Sequence, residues 1–552
     1  MRKKNYLPIV RALEALMKRA MKLKIKKEDP YGEIKSCKIS GIRIAWMRDE
    51  KYTVSFLNAI PCEKEHKLYS PEMLLTFFFE GKEKSVNLSL SMKNDYLSTY
   101  HGILTSGWVR LTKGINDVMD EFYSSTLEDM KDYLEAKAET IPFMEDAEFI
   151  LPKLEKIPKS FSSDFQDLLK DFYLTPTIAE VDATVSSNRK VWIVVDSDGT
   201  RIIQKQDIAN FSINPYGVSK DKRIFNGTVY RMGKDFKSLK GELAATKKEL
   251  QKFLYTIERK QLSSGIYPLI FDHSATATLF HEAIAGHMLS GMYIAEGISN
   301  IFKDKIGKSV ATDDSMTILK KLQIWDCPQD TSMLAHYKYD MEGVPAVDTL
   351  LIDKGVVENF LHDRNSSARM KKSPNGHALA EDFQINVLVN TFLTGEARLP
   401  EPRVSNLKVI SDSDLSFKDL EKKFFEKYGY YILVRSHSGQ VNISTGTFEL
   451  HVDYLEKVYS DGKREYFHGG SFSSNLTDFI SAIREVSNEY GLTGGYCGSS
   501  SGSVPTQEYT PVMSVYGVNW APVALPEKDK MFLIKKVKYI PNGWKASQQY
   551  ET

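Results

Sequence analysis

The spacing of hydrophobic and polar residues changes about half-way along the chain. Before residue 262, short strand-like runs alternate with helical segments, and a helical face is clearest over 236–258. After that point, one helix near 275–290 is followed mainly by strand-like runs and glycine-rich turns. The pattern predicts an α+β fold, with an N-terminal α+β domain over 1–262 and a β-rich C-terminal domain over 263–552.

The N-terminal part contains β-rich runs over 39–46, 53–60, 74–79 and 86–90, then a helical connector over about 114–175. Strand-like sequence returns on both sides of Asp198-Gly199. Because this dipeptide favours a tight two-residue turn, we expect a β-hairpin there.

The first 27 residues contain ten basic side chains and one acidic one, Glu14. Glu14 and Lys18 interrupt the apolar stretch that a secretory signal needs. Leu13, Leu16 and Ala20 instead share one helical face, which predicts an amphipathic helix within 1–27. Such a helix could bind a membrane surface or nucleic acid, or it could dock on its own domain; we favour docking.

The composition adds limits on partners and location. Lys and Arg number 73 against 72 Asp and Glu, so the chain lacks the basic excess of a nucleic-acid-binding protein. No apolar run reaches the roughly 20 residues that a membrane span requires. Four cysteines are too few for a disulfide scaffold. We expect a cytoplasmic protein with no nucleic-acid partner and no membrane span.

The most informative motif is a His-Glu pair followed by a second histidine: His281, Glu282 and His287. In zinc hydrolases two imidazoles bind the ion, and the adjacent Glu takes a proton from the activated water. A spacing of six residues turns the second ring about 120° away on a regular α-helix. The rings converge only if the helix is irregular between Ala283 and His287, where Gly286 permits it. The alternative is a structural helix with two unrelated histidines.

A third ligand would strengthen the metal hypothesis. Cys497 lies in a glycine-rich segment over 494–502, which we expect to be a loop following a helix over 476–489. Its thiolate would complete a two-His, one-Cys set with an open position for water, although a free cysteine is more often a small buried apolar residue. His437 is a further candidate for a fourth ligand or an oxyanion contact. We expect Asp340 and Glu342 to be solvated turn carboxylates; the alternative is that Glu342 contacts a ligand histidine and holds it in place.

Four ordered segments resemble the TldD/PmbA metalloproteases. They are the His-Glu-Ala…Gly-His helix at 281–287, Asp-x-Glu-Gly-x-Pro at 340–345, Gly-Gln-Val-Asn-Ile at 439–443, and Cys-Gly followed by Gly-x-Val-Pro at 497–505. The resemblance covers roughly 178–520. One departure is that the two histidines here are six positions apart, where the family has five, with Ala285 as the extra residue.

The resemblance implies a Zn²⁺-dependent peptidase. Its metal ligands would be His281, His287 and Cys497, with Glu282 as the general base. It also implies a peptide or unfolded polypeptide as the substrate, and a homodimer or a heterodimer with a family partner. The competing hypothesis is a catalytically silent subunit that binds peptides or completes a dimer, and the six-residue spacing favours it.

Overall fold

The computed structural model describes residues 3–28, 34–80, 85–109, 111–112, 144–257, 260–312, 315–389, 392–436 and 438–525. The fold is mixed and sheet-rich, with 27% helix and 43% strand, which confirms the predicted α+β class. Two large β-sheets dominate the described residues.

The first sheet is built around one long strand, Ile34–Leu57, which pairs antiparallel with Ile178–Asp196. The predicted hairpin at Asp198-Gly199 is present, because Ile178–Asp196 pairs antiparallel with Arg201–Val218. The nine strands of this sheet are Lys24–Glu28, Ile34–Leu57, Ile60–Leu68, Glu72–Glu80, Ser85–Lys93, Ile178–Asp196, Arg201–Val218, Ile224–Asn226 and Val229–Gly233.

The central part of the first sheet is buried on both faces. Ile44 and Trp46 pack on one face against the N-terminal helix Leu7–Ala20, whereas Ala45 and Met47 pack on the other face in the core of the C-terminal half. The helix therefore docks on its own domain. It is shorter than the segment 1–27, because Lys24–Glu28 forms a strand that pairs with Ile34–Leu57.

The predicted connector over 114–175 is described only from residue 144 onward. Its helix Lys159–Tyr173 packs Phe161 and Phe165 against Phe211 of the first sheet. The predicted helix over 236–258 is present as Phe236–Thr256 and joins the same core.

The second sheet places the short strand Leu269–Phe271 between Tyr430–Val434, which is parallel to it, and Gly502–Val515, which is antiparallel. Its thirteen strands are Gly265–Ile266, Leu269–Phe271, Leu322–Asp326, Thr349–Asp353, Val356–Val357, Asn406–Ser411, Tyr430–Val434, Ser438–Asn442, Thr447–Tyr459, Arg464–Asn475, Ile483–Ser499, Gly502–Val515 and Asn519–Pro522.

Two expectations for the C-terminal half are wrong. The helix expected over 476–489 ends at Ser481, and the segment expected to be a loop over 494–502 lies largely in the strand Ile483–Ser499. Strand pairing with Gly502–Val515 overrides local helix preference here. A Cβ added at Gly494 would lie 2.7 Å from Met232 Cγ, so this glycine allows close packing within a strand.

The remaining elements are short or lie at the edges of the sheets. Three two-stranded sheets pair Lys3–Asn5 with Ile150–Pro152, Ala378–Leu379 with Glu401–Pro402, and Gln384–Val389 with Phe392–Ala397. Further α-helices among the described residues are Tyr100–Gly102, His273–Phe280, Gly291–Ala295, Arg364–Met370, Phe417–Tyr428 and Leu476–Ser481. Short 3₁₀-helices span Asp95–Ser98, Asp146–Phe149 and Thr317–Lys321, and π-helical turns span Ile103–Gly107 and His281–Ala285.

A chain of ion pairs joins the two halves of the molecule. Lys252, on the last helix of the first half, donates to buried Glu456 at 2.9 Å. Arg435 donates to the same carboxylate at 3.0 Å and lies 3.1 Å from Asp272. The predicted boundary at 262/263 falls between the two sheets, and it stays a prediction.

Candidate metal centre

The helix that carries the histidines starts normally and then widens. Asp272 caps His273–Phe280 by accepting from the backbone N–H groups of Ser274 at 2.9 Å and Ala275 at 3.1 Å. The next turn, His281–Ala285, is a π-helix, and the N–H of Gly286 donates to the carbonyl of His281 at 2.7 Å. The irregularity expected between Ala283 and His287 is therefore present.

Gly286 is required at this point by its surroundings. A Cβ added to it would lie 2.7 Å from the carbonyl oxygen of His281 and 3.1 Å from Nε2 of the same residue. The close approach lets the chain fold back, so the rings of His281 and His287 lie with centroids 6.3 Å apart and planes at 76°. Because the turn is π-helical, the two rings lie close together despite the six-residue spacing.

Cys497 reaches the same place from the second sheet. It lies near the end of Ile483–Ser499, directly opposite Val504 on Gly502–Val515. One ligand atom each from His281, His287 and Cys497 lies within 4.8 Å of the others, and all three residues are buried. The structure therefore brings together the three residues predicted as ligands.

Glu282 faces the cluster from the π-helical turn. Its Oε2 lies 3.3 Å from Nε2 of His287, and its side chain is 20% exposed. The strand Ser438–Asn442 packs beside it, since a Cβ added at Gly439 would lie 3.3 Å from Cγ of Glu282. This carboxylate is accessible to solvent and close to the three buried side chains.

Glu508 was missed by the sequence reasoning. Its Oε1 lies 2.9 Å from Nδ1 of His281, and the residue is buried. A carboxylate in this position fixes the ring orientation and leaves Nε2 of His281 for a ligand. The sequence offered no local signal for it, because Glu508 shares a strand face with Val504, the residue opposite Cys497, only in the hairpin that the structure shows.

The electrostatics of the cluster favour a cation. Burial acts to raise the pKa of the Cys497 thiol, but His281 and Arg403 outweigh it and hold that pKa well below its ordinary value. Burial acts to lower the pKa of His287, yet Cys497 and Glu282 raise it to about 9. The pKa of His281 is likewise raised against burial, by Cys497 and Glu508. The negative groups that hold protons on both imidazoles would also attract a metal ion.

The donor set fits a metal ion of intermediate softness. Nδ1 of His287 is buried and has no hydrogen-bond partner among the described residues. Two imidazoles and one thiolate are the ligand types that zinc prefers, and three protein ligands leave a position open for chemistry.

Other candidate residues lie elsewhere. His437 lies outside the described residues. Asp340 and Glu342 are buried rather than solvated, so that expectation is wrong. They belong to a junction cluster of four charged residues: Arg43, Asp340, Glu342 and Arg364. The carboxylate that contacts a predicted ligand histidine is that of Glu508, not that of Glu342.

Comparison with known proteins finds relatives for much of the chain. A family model for the PmbA/TldA metallopeptidase C-terminal domain matches residues 264–520. A zinc metalloprotease TldD homologue of Saccharolobus solfataricus is 24% identical over 375 residues, covering 65% of this chain and 70% of that protein. The C-terminal half of this chain is thus similar to the TldD/PmbA metallopeptidases. The relatives that it matches carry the name metalloprotease.

Other relatives are matched over less of their length. A metalloprotease of Methanocaldococcus jannaschii is 26% identical over 252 residues, which are 46% of this chain and 50% of that protein. The chain thus spans about half the length of this relative. A second metalloprotease, from Methanothermobacter thermautotrophicus, is 27% identical and is covered over 48% of its length.

Solved structures support the fold over nearly the whole chain. TldE from Thermococcus kodakarensis covers 92% of this chain and 100% of its own, with a TM-score of 0.60 at 14% identity. A Thermotoga maritima protein covers 93% of this chain and 99% of its own, with a TM-score of 0.62 at 15% identity. Within the described residues, no helix has the length and apolar character needed to cross a bilayer.

Proposed function

We propose that this chain is a zinc-dependent peptidase in which His281, His287 and Cys497 hold the ion. The observation that carries the proposal is the convergence of three buried ligand atoms within 4.8 Å, on a helix whose π-turn absorbs the six-residue spacing. When bound, a zinc ion acts as a Lewis acid that polarises the substrate carbonyl and lowers the pKa of water.

Glu282 is the general base of this proposal. Its half-buried carboxylate lies beside His287 and remains accessible, so it can take a proton from the attacking water. The same carboxyl then returns the proton to the leaving amine. Glu508 holds His281 in the ring orientation that keeps Nε2 available.

The proposed substrate is a peptide or an unfolded polypeptide. The strand Ser438–Asn442 pairs with Thr447–Tyr459 along one edge, and its other edge has no strand partner among the described residues. Because Gly439 packs against Glu282, an extended peptide added to this strand would lie near the proposed base. We further propose a cytoplasmic dimer, formed with a second copy or with a family partner.

The hypothesis of a silent subunit loses its main support. It depended on the six-residue spacing, which on a regular helix would separate the rings. The π-turn instead places the two imidazoles next to the thiol.

The substitution Glu282→Gln tests the proposal. The amide keeps the shape of the side chain but cannot accept a proton, so we expect hydrolysis of an unfolded test polypeptide to fall about 10²–10⁴-fold. Zinc content and melting temperature should match those of the parent. The control Glu296→Gln alters an exposed carboxylate outside the cluster and should leave turnover unchanged. Parental turnover by Glu282→Gln would contradict the assigned role.

A further inference from the structure

The turn that closes the Cys497 hairpin is held by a buried carboxylate. Ser500 and Ser501 join Ile483–Ser499 to Gly502–Val515. Oε1 of Glu401 accepts from the backbone N–H of Ser501 at 3.1 Å, and Oε2 accepts from the hydroxyl of Ser500. Glu401 is 4% exposed and lies in a short strand paired with Ala378–Leu379. The turn is thus fixed to a separate part of the fold.

Arg403, two residues further on, binds both sides of the same turn. Its Nη1 donates to the Ser501 hydroxyl and to the Gly502 carbonyl, each at 2.7 Å. Its Nη2 donates to the backbone carbonyl of Cys497 itself. The guanidinium is 1% exposed and lies 3.6 Å from Glu401. One rigid, planar group therefore fixes Cys497 relative to the turn that follows it.

This restraint acts where position is critical. The thiol of Cys497 approaches from the end of a two-stranded ribbon, whereas both imidazoles belong to the widened helix. A ligand set must be held to within about 0.5 Å to bind a metal ion well. A second link crosses the same gap, since the Tyr293 hydroxyl, on the helix that follows His287, lies 2.8 Å from the Ser499 hydroxyl.

We propose that Arg403, supported by Glu401, is a positioning residue that fixes Cys497 for metal binding. The inference rests on the proposed metal site. Neither Arg403 nor Glu401 belongs to the proposed ligand set. Arg403 acts through the carbonyl of Cys497 and the turn beyond it, and Glu401 acts through the turn and the ion pair with Arg403.

The substitution Arg403→Lys tests the inference on the full chain. Lysine keeps the charge, but one ammonium cannot replace a fork that reaches Cys497, Ser501 and Gly502 together. We expect zinc affinity, measured by competition with a chelator, to fall about 10–100-fold. With Co²⁺ in place of zinc, the thiolate-to-cobalt absorption band should weaken. The matched control is Arg364→Lys, a buried arginine of the junction cluster, which should keep parental affinity and spectrum.

The outcomes separate the two ideas. A parent protein that binds neither ion, or whose cobalt form lacks the thiolate band, would overturn the proposed metal site. If the parent shows the thiolate band and Arg403→Lys has the same zinc affinity and the same cobalt spectrum as the parent, the positioning role alone would be overturned. If Arg403→Lys does not fold, Glu401→Gln replaces it, because the amide keeps the size and loses the charge facing Arg403. We expect a several-fold loss of zinc affinity there, and parental affinity in that variant would contradict the inference.

Discussion

The metal centre and the junction cluster are both buried and charged, and both lie in segments that resemble the family, but Asp340 of the junction cluster and His287 of the metal centre are hydrogen-bonded to different extents. In the junction cluster, Asp340 accepts from three backbone N–H groups, those of Glu342 at 2.9 Å, Val344 at 2.8 Å and Ala378 at 3.1 Å. In the metal centre, Nδ1 of buried His287 has no partner among the described residues.

The difference indicates which buried charges maintain the fold and which are available for chemistry. A buried polar atom without a partner costs free energy, so it persists where another requirement maintains it. Asp340 has its hydrogen bonds within the chain, and the junction cluster joins the first sheet to the second half through Arg43 and Glu342, 3.6 Å apart. We therefore expect substitutions in the metal centre to change metal content, and substitutions in the junction cluster to change stability.

The largest expected effect is that of Cys497→Ala on metal binding. Removing one of three proposed ligands should lower zinc affinity by more than the roughly 10–100-fold that loss of a supporting contact causes. Metal analysis of the purified protein would measure it. The control is Cys327→Ala, which changes another buried cysteine and should keep the metal. Parental zinc content in Cys497→Ala would remove that residue from the ligand set.

Glu456 is a second fully bonded charge, and its contribution should depend on pH. Burial acts to raise its pKa, but Lys252 and Arg435 outweigh it and lower that pKa to about 2. A carboxyl with a lower pKa in the folded state stabilises the fold above its unfolded pKa and loses this effect as the pH falls toward the folded pKa. The shift corresponds to about 3 kcal/mol.

Denaturant unfolding of the parent at several pH values should therefore show a decline in stability between about pH 4.5 and pH 2. Glu456→Gln should be less stable at neutral pH and should show a smaller decline over that window. Identical pH profiles for parent and variant would show that this carboxylate does not contribute.

Asp340→Asn should destabilise the fold without removing the metal. The amide oxygen can still accept from Glu342 and Val344, but the NH₂ group would face the N–H of Ala378 and leave it unpaired. An unsatisfied buried donor costs about 1–3 kcal/mol. Chemical unfolding and zinc analysis of the same sample would check both parts. Loss of zinc from a folded variant would contradict the distinction between the two regions.

Effects of similar or smaller size are expected at two glycines, one directly after the π-turn and one inside Phe236–Thr256. In Gly286→Ala, the new methyl group would contact the His281 carbonyl and ring, so we expect about 1–3 kcal/mol of destabilisation and weaker zinc binding. Thermal melting and chelator competition would measure both.

Gly241→Ala is the control for this pair. No heavy atom lies within 4 Å of the added Cβ, and the residue lies inside Phe236–Thr256, so it should stabilise the protein by about 0.5–1 kcal/mol. Equal behaviour of the two variants would show that the π-turn does not depend on glycine.

The sequence was most informative where a local rule determines the geometry. The spacing of His281 and His287, with Gly286 between them, was enough to predict an irregular helix, because ring directions on a helix follow from its pitch. The turn at Asp198-Gly199 was predicted for a similar reason, since the dipeptide selects the turn type.

Long-range pairing explains the failures. Glycine-rich sequence around Cys497 was expected to be a loop, but it pairs with Gly502–Val515 and packs against the first sheet. The contact between Glu508 and His281 spans 227 positions and depends on that hairpin register, which local spacing does not reveal. Asp340 was expected to be solvated. It is instead buried, and one of its hydrogen-bond donors, Ala378, lies 38 positions along the chain, where the sequence does not reveal the contact.

The packing at Gly494 has a consequence for how this protein can be divided or recombined. The family match starts at residue 264, yet the strand that carries Cys497 passes so close to Met232 that even a methyl group at 494 would lie 2.7 Å from its side chain. Met232 belongs to Val229–Gly233 in the first sheet. The two halves are therefore not independent modules: a chimaera with the N-terminal half of another protein keeps this packing only if its residue at the position of Met232 fits against Gly494. Moving the metal centre into another protein therefore requires residues at the positions of 232 and 494 that pack against each other.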